Sequence, residues 1–165
     1  MIVVSDSSPL IALARINRLD LLHSLYERIL IPTEVHHEVT VAGHHLPGGR
    51  EVRVADWVEV VERRSSGGQS LEQACEGLGR GERGSILLAK ALSADLVLLD
   101  EWKARRAARS AGLSVVGCLG VLEVGARKGI VSDLRSAYRD LLREGIRFDI
   151  RLLQESLDRL GFPKL

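Results

Sequence analysis

Short apolar runs, mostly β-branched, alternate along this chain with longer stretches of helical period. No other feature constrains the fold as much. Ile2 to Ser5, Arg28 to Ile31, Val58 to Val61, Leu96 to Leu99 and Ser114 to Val116 read as strands, buried where the run is continuous. Helices are expected between them. The first starts with Ser8 as N-cap and Pro9 in its first turn, and carries Leu10, Leu13, Ile16, Leu19, Leu22 and Leu25 at helical spacing. Others are expected over Thr33 to Val41, Glu51 to Ala55, Ser70 to Glu76, Glu82 to Leu92, Lys103 to Ser110 and Leu119 to Lys128. Two more close the chain, Asp133 to Glu144 and Asp149 to Leu160. Gly43 to Gly49 is a polar break, and Arg63 to Gly68 a loop. Strands that alternate with helices call for an α/β fold, a parallel sheet with helices on both sides. At 165 residues one domain is expected, with residues 133–165 as C-terminal helices packing on it.

Composition removes several classes of function. Net charge is +1, so the chain as a whole is not a polycation built for nucleic acid, and any basic surface must be local. Aromatic residues are 4%, few for a protein that reads bases by stacking. Cys75 and Cys118 stand far apart and form no C-x-x-C pair, which suits a reducing compartment. The start MIVVSDSSP has no basic n-region and reaches Asp6 too soon for a signal peptide. No apolar run is long enough to span a membrane, so a cytoplasmic protein is expected.

Gly79, Gly81 and Gly84 spell G-x-G-x-x-G in the stretch GLGRGERGSILLAKAL. A dinucleotide fingerprint needs a strand feeding directly into the glycines. Here SLEQACEGL precedes them, polar and helix-like, and the Walker pattern is absent too. The other reading makes the glycines a lead-in to Glu82. Ile86 and Ala89 follow it at i+4 and i+7, so Glu82 opens the inward face of its helix.

Three more acids sit where a ligand would bind. Asp6 ends the first strand and Asp100 the strand LVLL, and open parallel sheets bind ligands beyond the carboxyl ends of their strands. Glu38 lies at the edge of the apolar face of the helix after Ile31. Any one of these alone is a cap or a surface carboxylate. Together they are costly: two carboxylates about 5 Å apart repel by roughly 3 kcal/mol at an effective dielectric of about 20. A cluster of four requires a cation or protons, and all-oxygen ligands suit Mg²⁺ or Mn²⁺.

Other features carry less. His36, His37, His44 and His45 do not make a zinc motif, because Val41 stands where H-E-x-x-H requires its second histidine; they read as surface residues. Trp57 and Trp102 read as packing or interface residues. Ile150, Leu153, Leu157 and Leu160 form a stripe that closes the core or meets a partner. A phosphatase of the D-x-D type is excluded by Ser8, and a receiver domain lacks its late lysine.

The stretches VVSDSSPLIALARI, ILIPTEVHHEV, GLGRGERGSILLAKAL, ADLVLLDEWKARRAARSAGLSVVGCLGVL and KGIVSDLRSAYRDLLREGIRFD resemble PIN-domain proteins, in particular the VapC-like branch. The resemblance covers nearly the whole chain. It implies a three-layer α/β/α sandwich and a Mg²⁺- or Mn²⁺-dependent ribonuclease site at Asp6, Glu38, Glu82 and Asp100. Asp6, Glu82 and Asp100 would be metal ligands, with Glu38 orienting the attacking water. Ser8 would help hold the metal or its water, and Glu101 would assist Asp100 or take its place. Lys103, Arg105, Arg106 and Arg83 would contact RNA, with Arg80 and Arg109 nearby. The resemblance also implies a homodimer and a small antitoxin-like partner protein. The alternative is a catalytically silent module of the same fold that docks RNA or protein. The sequence departs from its relatives at Cys118, where they often carry Thr, and at D-E-W-K, which lacks the T-x-D-x-D-F form.

Overall fold

The computed structural model describes residues 1–64 and 68–165. Residues 65–67, within the expected loop, lie outside the described residues. Five strands form one sheet: β1 (Val3–Ser5), β2 (Ile29–Pro32), β3 (Val58–Val61), β4 (Leu96–Leu98) and β5 (Val115–Val116). Their spatial order is β3-β2-β1-β4-β5, and every pairing is parallel. Parallel neighbours need a crossover between them, and here helices provide it.

Successive strand residues face opposite sides, and the side chains obey this period. Val3, Ile29, Ile31 and Leu98 enter one core with Leu10, Leu22, Val121, Leu122, Tyr138 and Leu157. Val4, Leu30, Val97 and Leu99 enter the other with Ile86, Leu87, Ala104 and Ala108. This is why β1 and β2 are buried at every position: both faces are covered, whereas β3 at the sheet edge exposes Glu59 and Val60. The first core is roofed by α1 (Ser7–Arg15), α2 (Asp20–Tyr26), α8 (Cys118–Arg127), α9 (Leu134–Arg143) and α10 (Ile150–Leu160). The second is roofed by α5 (Gln69–Ala74), α6 (Arg80–Ala91) and α7 (Trp102–Ser110). The result is the expected three-layer α/β/α sandwich.

Several local expectations need correction. The leucine run from Leu10 to Leu25 is two helices, α1 and α2, broken where Asn17 takes a positive φ of 54°. Asp6, not Ser8, occupies the N-cap of α1, and Ser8 is exposed in the first turn. The helix expected over Thr33 to Val41 is α3 (Thr33–His36) followed by a π-helical turn, His37–Ala42. The wider turn is marked by Gly43 N–H donating to the Glu38 carbonyl, five residues back, at 3.0 Å. A short α4 (Gly49–Val54) follows.

At the C-terminal end, Leu153 and Leu157 are buried and Leu160 is half-buried, while Ile150 stands exposed outside the stripe. A polar clasp joins α10 to α9 and α8. The Tyr138 and Ser156 hydroxyls are 2.6 Å apart, and Ser156 donates to Glu123 at 2.5 Å. No helix among the described residues is long and apolar enough to cross a membrane.

Candidate active site

The strand order reverses at β1. The chain builds β2 and β3 on one side of it, then crosses to lay β4 and β5 on the other. A crevice opens at such a switch point, at the carboxyl ends of the two strands beside it. Ser5 pairs with Leu98, and Asp6 N–H donates to the Leu98 carbonyl at 3.0 Å. Asp6 and Asp100 therefore leave neighbouring strand ends.

Asp6 is only 3% exposed. Burial raises its carboxyl to about 7, and the negative charges of Glu82 and Glu38 add to the rise; hydrogen bonds from the backbone N–H groups of Ser7 and Ser8 work the other way. Glu38 reaches the same place from the π-helical turn. Its carboxylate accepts from the Ser7 hydroxyl on one oxygen and from Gly81 N–H, at 2.9 Å, on the other. Gly81 makes this approach possible. A Cβ there would sit 2.5 Å from Glu38 Oε2 and 2.9 Å from Asp6 Oδ1. The glycine string thus serves carboxylates, not a phosphate.

Glu82 is the third residue of α6 and its carboxylate accepts from Gly79 N–H at 2.9 Å, closing the start of the helix. The structural role and the proximity to Asp6 coexist. Asp100 is tied elsewhere. Its Oδ1 accepts from Cys118 N–H at 2.6 Å. Burial raises its carboxyl, while that hydrogen bond and the Arg105 charge lower it. Gly117 leaves room for this pair, since a Cβ there would meet Asp100 Oδ1 at 2.8 Å and Arg105 Nη1 at 3.1 Å. Glu82 and Glu38 are the charges that raise Asp6; Asp100 is not among them.

A family model described as a PIN domain matches residues 2–161. The chain belongs to the PIN domain family. Among curated proteins nothing matches it. PIN domains are generally nucleases, act on nucleic acid and typically use divalent metal ions.

The donors of this PIN domain fit such an ion in chemistry and in charge. Asp6, Glu38 and Glu82 offer only carboxylate oxygens, and their mutual repulsion is what a divalent cation relieves. As they stand, no three His, Cys, Asp or Glu side chains among the described residues close to a ready-made metal cage. Each candidate acid is instead held by a protein donor. Glu101 is exposed and caps α7 by accepting from Ala104 N–H at 3.0 Å. Ser8 lines a cleft with Arg15, Asp100, Glu101, Arg147 and Phe148.

The cations of this PIN domain divide by what they already hold. Lys103 and Arg106 are exposed on α7, and Arg109 is exposed further along it. Arg105 is half-buried against Asp100, and Arg83 is paired with Glu72. Arg80 shares a cleft with Glu38 and His37. His37, His44 and His45 are exposed, as surface histidines should be. Trp57 packs against His23 with ring centroids 5.4 Å apart. Trp102 does not pack into either core; it is 65% exposed.

Sequence reasoning missed Ser7, Glu34 and the close approach at Gly81. Ser7 was legible: it stands three residues before Leu10 and seven before Ala14, both on the buried face of α1, whereas Ser8 shares a cleft with the half-buried Ile11 and Arg15. Glu34 comes within 3.0 Å of where a Gly84 Cβ would be and pairs with Arg63 at 3.5 Å. Nothing in its spacing distinguishes it from a surface glutamate.

Proposed function

We propose that this PIN domain is an endoribonuclease that hydrolyses RNA phosphodiester bonds with Mg²⁺ or Mn²⁺. The observation that carries this reading is the buried Asp6 carboxyl crowded by Glu38 and Glu82 at the switch point of the sheet. Asp6, Glu82 and Asp100 are the metal-binding acids in this reading, with Glu101 in reserve and Ser8 beside them. When bound, the metal supplies a water of lowered pKa and charge to offset the scissile phosphate. The chain's own contribution is positional. Ser7 and Gly81 fix the Glu38 carboxylate, which leaves it oriented toward Asp6 and able to align the attacking water. Lys103 and Arg106 hold the RNA backbone, while Arg105 and Arg83, expected to join them, are held by Asp100 and Glu72. Residues 1–165 act as one domain in the cytoplasm, and the protein is a homodimer and the toxin of a VapBC-like pair, neutralised by a small antitoxin-like protein; the sequence resemblance supports these last points.

One observation favours the alternative, a catalytically silent module that docks RNA or protein. Every acid already has a protein donor, and Arg105 shares the neighbourhood of Asp100. Incubation of the purified protein with a mixed RNA pool separates the two readings. The nuclease cleaves with Mg²⁺ or Mn²⁺, not with EDTA, and Asp6→Asn lowers the rate by about 100-fold or more, as loss of a charge aimed at the reacting centre does. Cleavage by Asp6→Asn at the native rate sinks the assignment.

A further inference from the structure

The face of α7 that lines a groove apart from the Asp100 cleft carries, among the described residues, the one large aromatic side chain that neither core uses. Trp102 opens the helix two residues after Asp100 and is 65% exposed. The Arg106 guanidinium lies over its ring, 5.5 Å from the centroid. The two line a shallow groove with Leu78, Lys103 and Ala107, and one acid, Glu76, sits at the rim. Covering an exposed indole is favourable, and Arg106 covers only part of this one. A flat apolar ring, a stacked guanidinium and a neighbouring ammonium are together the chemistry of a single-stranded nucleic-acid platform: the ring takes a base and the cations take the flanking phosphates.

We propose that Trp102, with Arg106 and Lys103, is a stacking site for one base of single-stranded RNA, set on the helix that follows Asp100. The inference rests on the ribonuclease reading and refines it by requiring an unpaired base in the strand that runs along α7. Stacking needs a base whose face is free, so a duplex does not satisfy the site. Lys103 and Arg106 outnumber Glu76 among the charged residues of the groove, which favours a phosphate-bearing strand as its occupant.

The test is a binding titration in EDTA, so that no cleavage intervenes. A Trp57→Phe protein, whose sole tryptophan is then Trp102, is titrated with a mixed-sequence single-stranded RNA 12-mer and with a duplex of equal length. Quenching of the fluorescence by the single strand, and little by the duplex, is expected. Full-length Trp102→Ala should bind the 12-mer about tenfold or more weakly, and Trp102→Phe should recover most of that loss. Circular dichroism and sedimentation accompany each variant. Equal binding by native protein and Trp102→Ala overturns the stacking site while leaving the ribonuclease reading intact. No binding by the native protein overturns both. Dissociation of an oligomer by Trp102→Ala, with RNA affinity unchanged, assigns the ring to self-association and overturns the proposal.

Discussion

Asp6 holds its proton into the neutral range because burial and two neighbouring carboxylates oppose its ionisation. The consequence for stability has a definite sign. Below about pH 4 the carboxyl is protonated in both the native and the unfolded chain. As pH rises toward 7, the unfolded chain releases this proton and the native protein keeps it, so native stability falls. Above about 7 both forms are ionised and the loss is complete, about 4 kcal/mol in the limit. Asp6→Asn removes the effect. In EDTA the variant should gain on the native protein between pH 5 and pH 8, as read by urea denaturation. A difference that stays constant over that range means that Asp6 titrates as an ordinary aspartate and the cluster does not exist. Gly81 tests the same contact from the other side. Gly81→Ala favours the helix by up to about 1 kcal/mol yet drives a methyl into Glu38 and Asp6, so cleavage should drop about tenfold while the melting temperature changes little. Parallel losses of both would mean the residue is only structural.

At the scale of elements, the start of α6 has two duties. Glu82 satisfies Gly79 N–H and also adds charge at Asp6. Glutamine can do the first and not the second. Glu82→Gln should therefore keep the stability of the native protein within about 0.5 kcal/mol and weaken Mn²⁺ binding about tenfold by calorimetry, whereas Glu82→Ala should lose both, with a stability cost of about 1 kcal/mol. Equal Mn²⁺ binding by the glutamine variant and the native protein would reduce Glu82 to a cap. The helix itself was legible, since Ile86 and Ala89 repeat at its period. The π-helical turn was not. One extra residue per turn barely disturbs the apolar spacing of Val35 and Val39, and the turn depends on contacts such as Gly43 N–H to Glu38 and the Thr40 hydroxyl to the His36 carbonyl at 2.7 Å. Yet that turn is what carries Glu38 to Gly81.

For the molecule as a whole, alternation of buried runs and helical stretches made the parallel sheet and its three layers readable, because both sheet faces must be covered by what lies between the strands. The order of the strands was not readable. It depends on which helix covers which face, and that is decided by packing among residues far apart, such as Leu22 with Leu122 and Tyr138 in one core. The sequence offers two acids at strand ends, Asp6 and Asp100, and two on helices, Glu38 and Glu82; that Asp100 keeps company with Arg105 while Glu38 and Glu82 crowd Asp6 was not readable in it. The same division of partners governs how RNA should bind. A net charge of +1 leaves little long-range attraction, and pairing removes more: Arg83 is committed to Glu72 and Arg105 to Asp100. Lys103, Arg106 and Arg109 stay exposed on α7. About three phosphate contacts to a single strand give a slope of about −2 for the logarithm of affinity against the logarithm of salt concentration, at about −0.7 per contact. Lys103→Gln and Arg106→Gln should each flatten the slope by about 0.7, and Arg83→Gln should leave it almost unchanged because Glu72 already neutralises that charge. Fluorescence anisotropy of a labelled single-stranded RNA across a salt series measures all four proteins. A native slope steeper than about −5 would mean that the strand follows a longer basic track than α7 offers, and an Arg83→Gln slope as flat as that of Lys103→Gln would mean that the Glu72 pair opens to admit RNA.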